Sequence, residues 1–376
     1  MKTNQFLTKR TVAFLLSFLL VTVCYYIPTS ASTIQLNKTK ATIQVGKTTK
    51  LSVKGTKKKV TWSSQKRAVA TVNKKGVVTG KKAGTTFIYA KVSGKTLRCK
   101  VTVKPAPSIA MTVNDISIRL GDSVSTLKSK FGEPDRIDES VYSFDYYVYN
   151  TNNYKDFFMV GIKDSKVVAF YSDTSTFKIG QLIPSYTIDQ VNTLFKSSIS
   201  PSETDDFIKN SDGIIYHLFF DQLGDKNLVG VLASSVSLIE KERTPAIIQA
   251  EERQIFDTCN SARVRHGLSP LTWSEQATAS SKKHSTDMAN NNYFSHTSLS
   301  GTTPGDRLKA EGISWRGCGE NIIAGYEDGI SANNGWLNSS GHRSNMLNPN
   351  FTHLGVGGAT GGSYGIYFTQ NFYQQR

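Results

Sequence analysis

From residue 33 to residue 103 apolar and polar positions alternate in short runs, over 33–36, 41–45, 50–53, 60–62, 70–72, 85–92 and 97–103. Gly46, Gly55, Gly76, Gly80, Gly84 and Gly94 break the runs at turn spacing. A period of two, punctuated this regularly, predicts seven short strands folded as an all-β sandwich. The pattern changes between 114 and 240. There "IRLGDSVSTLKSKFGEP" from Ile118 is echoed by "FKIGQLIPSYTIDQVNTLFK" from Phe177. Each copy reads as a Gly turn, a capped helix and then aromatic strands, at 142–149, 157–162 and 167–171 in the first and at 214–220 and 228–233 in the second. The block is therefore expected to be α+β with an internal duplication, its two faces covering one another. His217 falls inside an apolar strand pattern and is expected to be packed rather than to act as a ligand.

Helical spacing takes over in the last block, 248–376. The segment 250–267 places Ile255, Cys259 and Ala262 near one face and stops at Gly267. A second helix is predicted over 275–290. On it Ala277, Ser281, His284 and Met288 recur at i, i+4, i+7 and i+11, which turns His284 inward as a core group rather than a catalytic one.

The chain holds 376 residues, 38% of them hydrophobic, enough for several cores and too apolar for wholesale disorder. Lys2, Lys9 and Arg10 precede an apolar run from Val12 to about Ile27, followed by the small residues Thr29, Ser30 and Ala31. That order predicts a signal peptide over 1–31 and a mature start near Ser32. Export is expected rather than anchoring, because a membrane span needs roughly 20 apolar residues. Cys24 follows Val23, too bulky for a lipidation site, and reads as a bystander. Charge is segregated. Nineteen Lys and Arg and no acidic residue fall between Ala31 and Ala110, whereas Met111 to Arg376 carries 23 basic and 29 acidic side chains. A lysine-covered domain should attract polyanions. Nucleic acid is a poor partner for an exported chain without a reading motif. Cys99, Cys259 and Cys318 remain after the signal; Cys259 and Cys318 could pair, and Cys99 reads as a small buried residue. Pro105 and Pro107 open a short linker, 105–113.

Candidate chemistry is confined to the last block: His296 in "NYFSHTSLSG", Glu320 in "RGCGENI" and His342 in "GWLNSSGHRSNML". Two imidazoles and a carboxylate suit a three-ligand zinc site or general acid–base catalysis. No HExxH helix is present, so only a fold joining distant loops could assemble them. Glu320 could ligate a metal or orient one imidazole as its acceptor. His353 reads as peripheral.

The first block, through "TIQLNKTKATIQVGKTTKLSV", "VTWSS", "VATVNKKGVVTGKKAGTTFIYA" and "CKVTV", resembles a bacterial Ig-like domain of group 2 (33–104). The resemblance implies a display or adhesion unit in a bacterial cell envelope. The middle block, 114–240, looks like the domain that often precedes a CAP domain, and this likeness brings no assigned chemistry. "NSARVRHGLSPLTW", "HSTDMANNNYFSHTS", "GENI", "GWLNSSGHRSNMLNPNFTHLGVG" and "YFTQNF" resemble the CAP superfamily of cysteine-rich secretory proteins, antigen 5 and pathogenesis-related proteins in its bacterial SCP-like form. That likeness implies an α/β/α sandwich with a His/Glu cleft, carried onto His296, Glu320 and His342. Asn321, Ser339, His284 and Arg343 are expected to line the cleft. Ser339 stands where many relatives carry a second glutamate, which weakens any mechanism that needs paired acids.

Two functional readings follow. In the first, a secreted, cell-wall-associated bacterial protein attaches through its Ig-like module to anionic wall polymers or surface glycans. Its CAP domain then binds a small apolar ligand, a lipid or a protein without being an enzyme. In the alternative, His296, Glu320 and His342 hold a divalent metal such as Zn²⁺ and serve a hydrolase, a protease or a wall-remodelling enzyme.

Overall fold

The computed structural model describes residues 33–105, 108–199 and 213–376, together with the backbone of the strand at 205–209. The predicted signal peptide, Cys24 and Pro107 lie outside the described residues. The chain divides into two compact units, one ending at Lys104 and one running from Pro105 to Arg376.

Among its described residues the first unit holds nine strands: β1 Gln35–Leu36, β2 Lys40–Gln44, β3 Thr48–Lys50, β4 Val53–Lys54, β5 Thr61–Ser64, β6 Ala70–Val72, β7 Val77–Gly80, β8 Gly84–Val92 and β9 Lys95–Lys104. They form a four-stranded sheet in the order β2-β9-β8-β5, a three-stranded sheet β3-β7-β6 and the pair β1-β4. Leu51, Val78, Ile88, Cys99 and Val101 are fully buried in the shared core, as period-two alternation requires. Gly76 is obligatory: its φ is +76°, and a Cβ would stand 2.4 Å from the carbonyl of Leu51. All nineteen Lys and Arg side chains from Lys38 to Lys104 are exposed.

The second unit begins with β10 Ala110–Val113, β11 Ile116–Arg119, α1 Val124–Phe131, β12 Arg136–Asp138, β13 Asp145–Thr151, β14 Asp156–Lys163, β15 Lys166–Ser172, β16 Lys178–Ile179, α2 Ile188–Phe195, β17 Asp205–Lys209, β18 Ile215–Phe220 and β19 Leu228–Ser234. The two halves do not cover one another as expected. They join edge to edge through β15 and β19 into a single antiparallel sheet, β12-β13-β14-β15-β19-β18-β17. One face, with Phe158, Val160 and Phe170, packs beneath α1 and α2. Phe157, Met159 and Tyr171, on the other face, enter a core built largely by the C-terminal block. This explains why β14 is apolar at nearly every position rather than alternating. His217 is fully buried against Phe219.

The C-terminal block holds α3 Pro245–Arg265, β20 Thr272–Trp273, α4 Glu275–Asn291, α5 Pro304–Ala310, β21 Trp315–Ala324, α6 Gly329–Leu337, α7 Ser340–Met346, β22 His353–Gly361 and β23 Gly365–Gln375. Helix α3 starts earlier than apolar spacing predicts, because Thr244 caps it and Pro245 occupies its first turn. The sheet order is β20-β22-β23-β21, antiparallel except for β20 beside β22. Glycines on β22 set the layers. A Cβ on Gly355 or Gly357 would stand 2.1 Å from a backbone nitrogen of α4, whereas one on Gly358 would meet Ile248 of α3 at 2.9 Å. Successive strand residues point to opposite faces, so α4 and α3 cover opposite sides of the sheet in an α/β/α sandwich.

Candidate functional site

Glu320 lies near the middle of β21, opposite Asn371 of β23, and its side chain is 1% exposed. The strand turns it toward α4 and α5, where its carboxylate is divided between two partners. Oε1 accepts from Nδ1 of His296 at 2.9 Å, and Oε2 accepts from Arg307 Nη2 at 2.6 Å. An anion at this position fixes the proton on Nδ1 of His296 and leaves Nε2 available, on a side chain 51% exposed.

Arg307 carries no signal in the periodicity and was absent from the expected set. Its Nη1 donates to Thr302 O at 3.0 Å and its Nη2 to His296 O at 2.9 Å, so one guanidinium ties the 296–303 loop to Glu320. Thr303 and Asp306 close a capping box that starts α5 immediately after this loop, aiming Arg307 back at the strand. The clue in the sequence was the Thr-Pro-x-Asp cap itself.

His284 is buried behind the carboxylate, as its helical spacing predicts. Its Nε2 lies 3.0 Å from Ser295 O and 3.8 Å from Glu320 Oε1. Burial holds its pKa below the usual imidazole value; Glu320 opposes the shift and Arg307 adds to it.

His342 projects from α7. Asn321 anchors that helix to β21 by donating to His342 O at 3.1 Å and accepting from Asn345 at 2.9 Å. Burial lowers the pKa of His342, and a charge on His296 lowers it further, so the two imidazoles sense one another. Asn321 is fully buried and supports the site from below rather than lining it. Ser339 is the N-cap residue of α7, with no side-chain cap bond.

Arg343, expected in the cleft, turns the other way and pairs with Asp221 of the middle domain. A bridge between Cys259 and Cys318 is not formed, and both thiols are free. Cys259 is fully buried on the inner side of α3, where burial pushes its thiol up to about 12, whereas Cys318 sits on β21 beside Trp315. His353, the first residue of β22, stacks on Tyr373 of β23, ring centroids 4.7 Å apart.

The expected three-ligand metal set is not assembled. Both oxygens of Glu320 are engaged, and among the described residues no three His, Cys, Asp or Glu side chains converge as a metal-holding group. His296 and His342 remain as neighbouring imidazoles, one protein ligand fewer than zinc sites usually have. The arrangement can hold and pass a proton at His296 Nε2 and present hydrogen-bonding groups at an open surface.

Residues 256–372 match the cysteine-rich secretory protein family, residues 120–242 the CAP-associated N-terminal domain, and residues 30–103 the bacterial Ig-like domain of group 2. The chain is 30% identical over 300 residues to an uncharacterized membrane protein, YlbC, of Bacillus subtilis, covering 70% of this chain and 85% of that one. It is 41% identical over 128 residues to the uncharacterized protein YkwD of the same organism, covering 34% and 49%. A Bacillus anthracis extracellular protein containing an SCP domain superposes with TM-score 0.56 at 32% identity, over 68% of this chain and 94% of that one. A Staphylococcus aureus cysteine-rich secretory protein shares the fold, with TM-score 0.53 at 18% identity over 68% and 91%. A sandwich assembled around Glu320 and His296, joined to a CAP-associated domain and an Ig-like domain, thus places the chain in the cysteine-rich secretory protein, or CAP, family.

Proposed function

We propose that this is an extracellular bacterial protein whose Ig-like unit attaches it to anionic cell-envelope polymer while its CAP domain binds a ligand at the His296 surface without turning it over. Nineteen exposed cations with no acidic side chain among them carry this reading. Such a surface draws polyanions through long-range attraction and counterion release, which salt screens. In the CAP domain the Glu320 carboxylate is neutralised by Arg307 and used to orient His296, an arrangement suited to holding a hydrogen-bonding partner. The extracellular SCP-domain relative supports the location. The mirrored strand order about β15 and β19 supports reading the middle domain as a duplication. Binding of the full chain to purified cell walls should fall steeply between about 50 and 500 mM salt. Salt-independent binding, or none, would overturn the attachment.

One observation favours the alternative of a metal-dependent hydrolase: His296 keeps Nε2 outward, with His342 close enough to sense its charge. Two neutral imidazoles would hold the ion, Glu320 would orient the first, and the ion would supply Lewis acidity. Zinc titration of wild type against the His296→Ala, His342→Ala double variant decides it. Equal affinity in the two proteins removes this reading.

A further inference from the structure

We propose that the outer face of the four-stranded sheet β2-β9-β8-β5 is a platform for an acidic polysaccharide, whose sugar rings lie on Phe87 and Tyr89 while its anionic groups meet the surrounding cations. This rests on reading the first unit as the attachment module, and it adds the class of polymer and the surface that takes it.

Register fixes which side chains share that face, because residues paired across a ladder point the same way. Ile88 opposite Cys99 and Ala90 opposite Leu97 point into the core, so Phe87 opposite Lys100 and Tyr89 opposite Arg98 point out. Lys40 of β2 stands beside Lys100, and Ser63 of β5 beside Tyr89. The two rings are partly exposed and take no part in the core beneath them. They stack on each other, with centroids 6.5 Å apart and planes at 25°. Arg98 Cζ lies 5.3 Å from the Phe87 centroid, which sets a cation against the ring pair itself. The other sheet, β3-β7-β6, differs. Its outward strand positions are Thr48, Lys50, Thr71, Val77 and Thr79, one cation and no aromatic ring.

Stability does not account for the charge on this face. Lys40 and Lys100 are like charges side by side, a costly arrangement in a sheet, and no Asp or Glu occurs between 33 and 104 to offset it. A bound polyanion relieves that repulsion. The rings add a demand that charge alone does not meet, since a polyphosphate has no surface to lay on them. The C–H face of a pyranose is apolar and packs on an aromatic ring, while its rim hydroxyls both donate to and accept from side chains such as Ser63 and Thr102. A neutral glycan would leave Lys40, Arg98 and Lys100 without a counter-charge. Single-stranded nucleic acid also combines rings with charge and is the competing occupant; the extracellular setting proposed above favours the polysaccharide.

The test is isothermal titration of the full chain with alginate and polygalacturonate, with neutral dextran, inorganic polyphosphate and poly(dT) as comparison arms. At least one of the two acidic polysaccharides should bind saturably, and dextran should not. Phe87→Thr combined with Tyr89→Thr keeps β-propensity, and it should weaken the polysaccharide about tenfold while leaving polyphosphate within about twofold. Arg98→Thr with Lys100→Thr should weaken it more than Lys74→Ala with Lys75→Ala, which remove the same charge from the turn between β6 and β7. Equal losses from the two charge pairs, a ring variant that binds like wild type, tighter binding of poly(dT) than of either acidic polysaccharide, or no saturable binding would each overturn the platform. Salt-sensitive wall binding by the ring variant equal to that of wild type would remove the platform and leave the attachment standing, so the two readings fail separately.

Discussion

Arg343 of α7 grips Asp221 of the middle domain with both ends of its guanidinium, Nη1 to Oδ1 and Nη2 to Oδ2, each at 2.9 Å. One residue before it on the same short helix is His342. The middle domain therefore braces the helix that carries one of the two site imidazoles, and Asn338 adds to the brace by donating to Phe220 O and accepting from Gln222 N.

Asp221→Ala should separate this contact. The pair is mostly buried, at 16% and 7% exposure, so leaving Arg343 without its partner should cost about 3 kcal/mol in denaturant unfolding. Burial raises the pKa of Asp221, but Arg343 and the Gly224 N–H outweigh it and hold the carboxyl below its usual range. A depressed carboxylate contributes stability above its unfolded pKa and loses it as pH falls through the folded value. The difference between wild type and variant should therefore be constant from about pH 5 upward and shrink below about pH 4. A difference independent of pH would refute this assignment.

Glu320→Gln should release both His296 and Arg307. Arg307, 11% exposed, would keep a charge without its anion, and a loss of about 3 kcal/mol is expected. The ¹⁵N spectrum of His296 should change from one dominant tautomer to a mixture. A single unchanged tautomer would show that Glu320 does not orient the ring.

Gly357→Ala tests how closely α4 lies on the sheet. Its Cβ would stand 2.1 Å from Lys282 N and 2.5 Å from Lys282 Cα, both backbone atoms, so the helix itself must move. The melting temperature should fall by an amount corresponding to about 3 kcal/mol. Gly341→Ala, with nothing within 4 Å of the new Cβ, should be nearly neutral. Equal effects of the two would contradict the layer packing.

Two buried carboxyls oppose Asp221 in their pH response. Burial pushes Glu251 up to about 7 against the pull of Arg243, and Asp173 up to about 6 against Arg265. A raised carboxyl binds its proton more tightly in the folded state, so stability should decline as pH rises from about 4 to about 7. Unfolding free energies at pH 5 and pH 8 should differ by about 4 kcal/mol in favour of the acidic side. Glu251→Gln should flatten most of that slope, and an unchanged slope would rule Glu251 out as its source.

Much of the fold was legible along the chain. Period-two runs broken by glycine specified the first unit, and i, i+4, i+7 spacing placed His284 inward, because both are local consequences of strand and helix geometry. Glu320 was singled out by the resemblance of its "GENI" segment to the family, not by periodicity.

What tertiary structure alone decided lies between residues far apart. Glu320 meets His296 across 24 residues and Arg307 across 13, and Arg343 meets Asp221 across 122. Periodicity says which face a side chain takes but not which partner waits there, so the second face of the middle sheet, the direction of Arg343 and the separation of the two thiols had to come from packing. The chain's own order dictated its strands, helices and domain succession through local backbone preferences. Only folding placed His296 on one oxygen of the Glu320 carboxylate and Arg307 on the other.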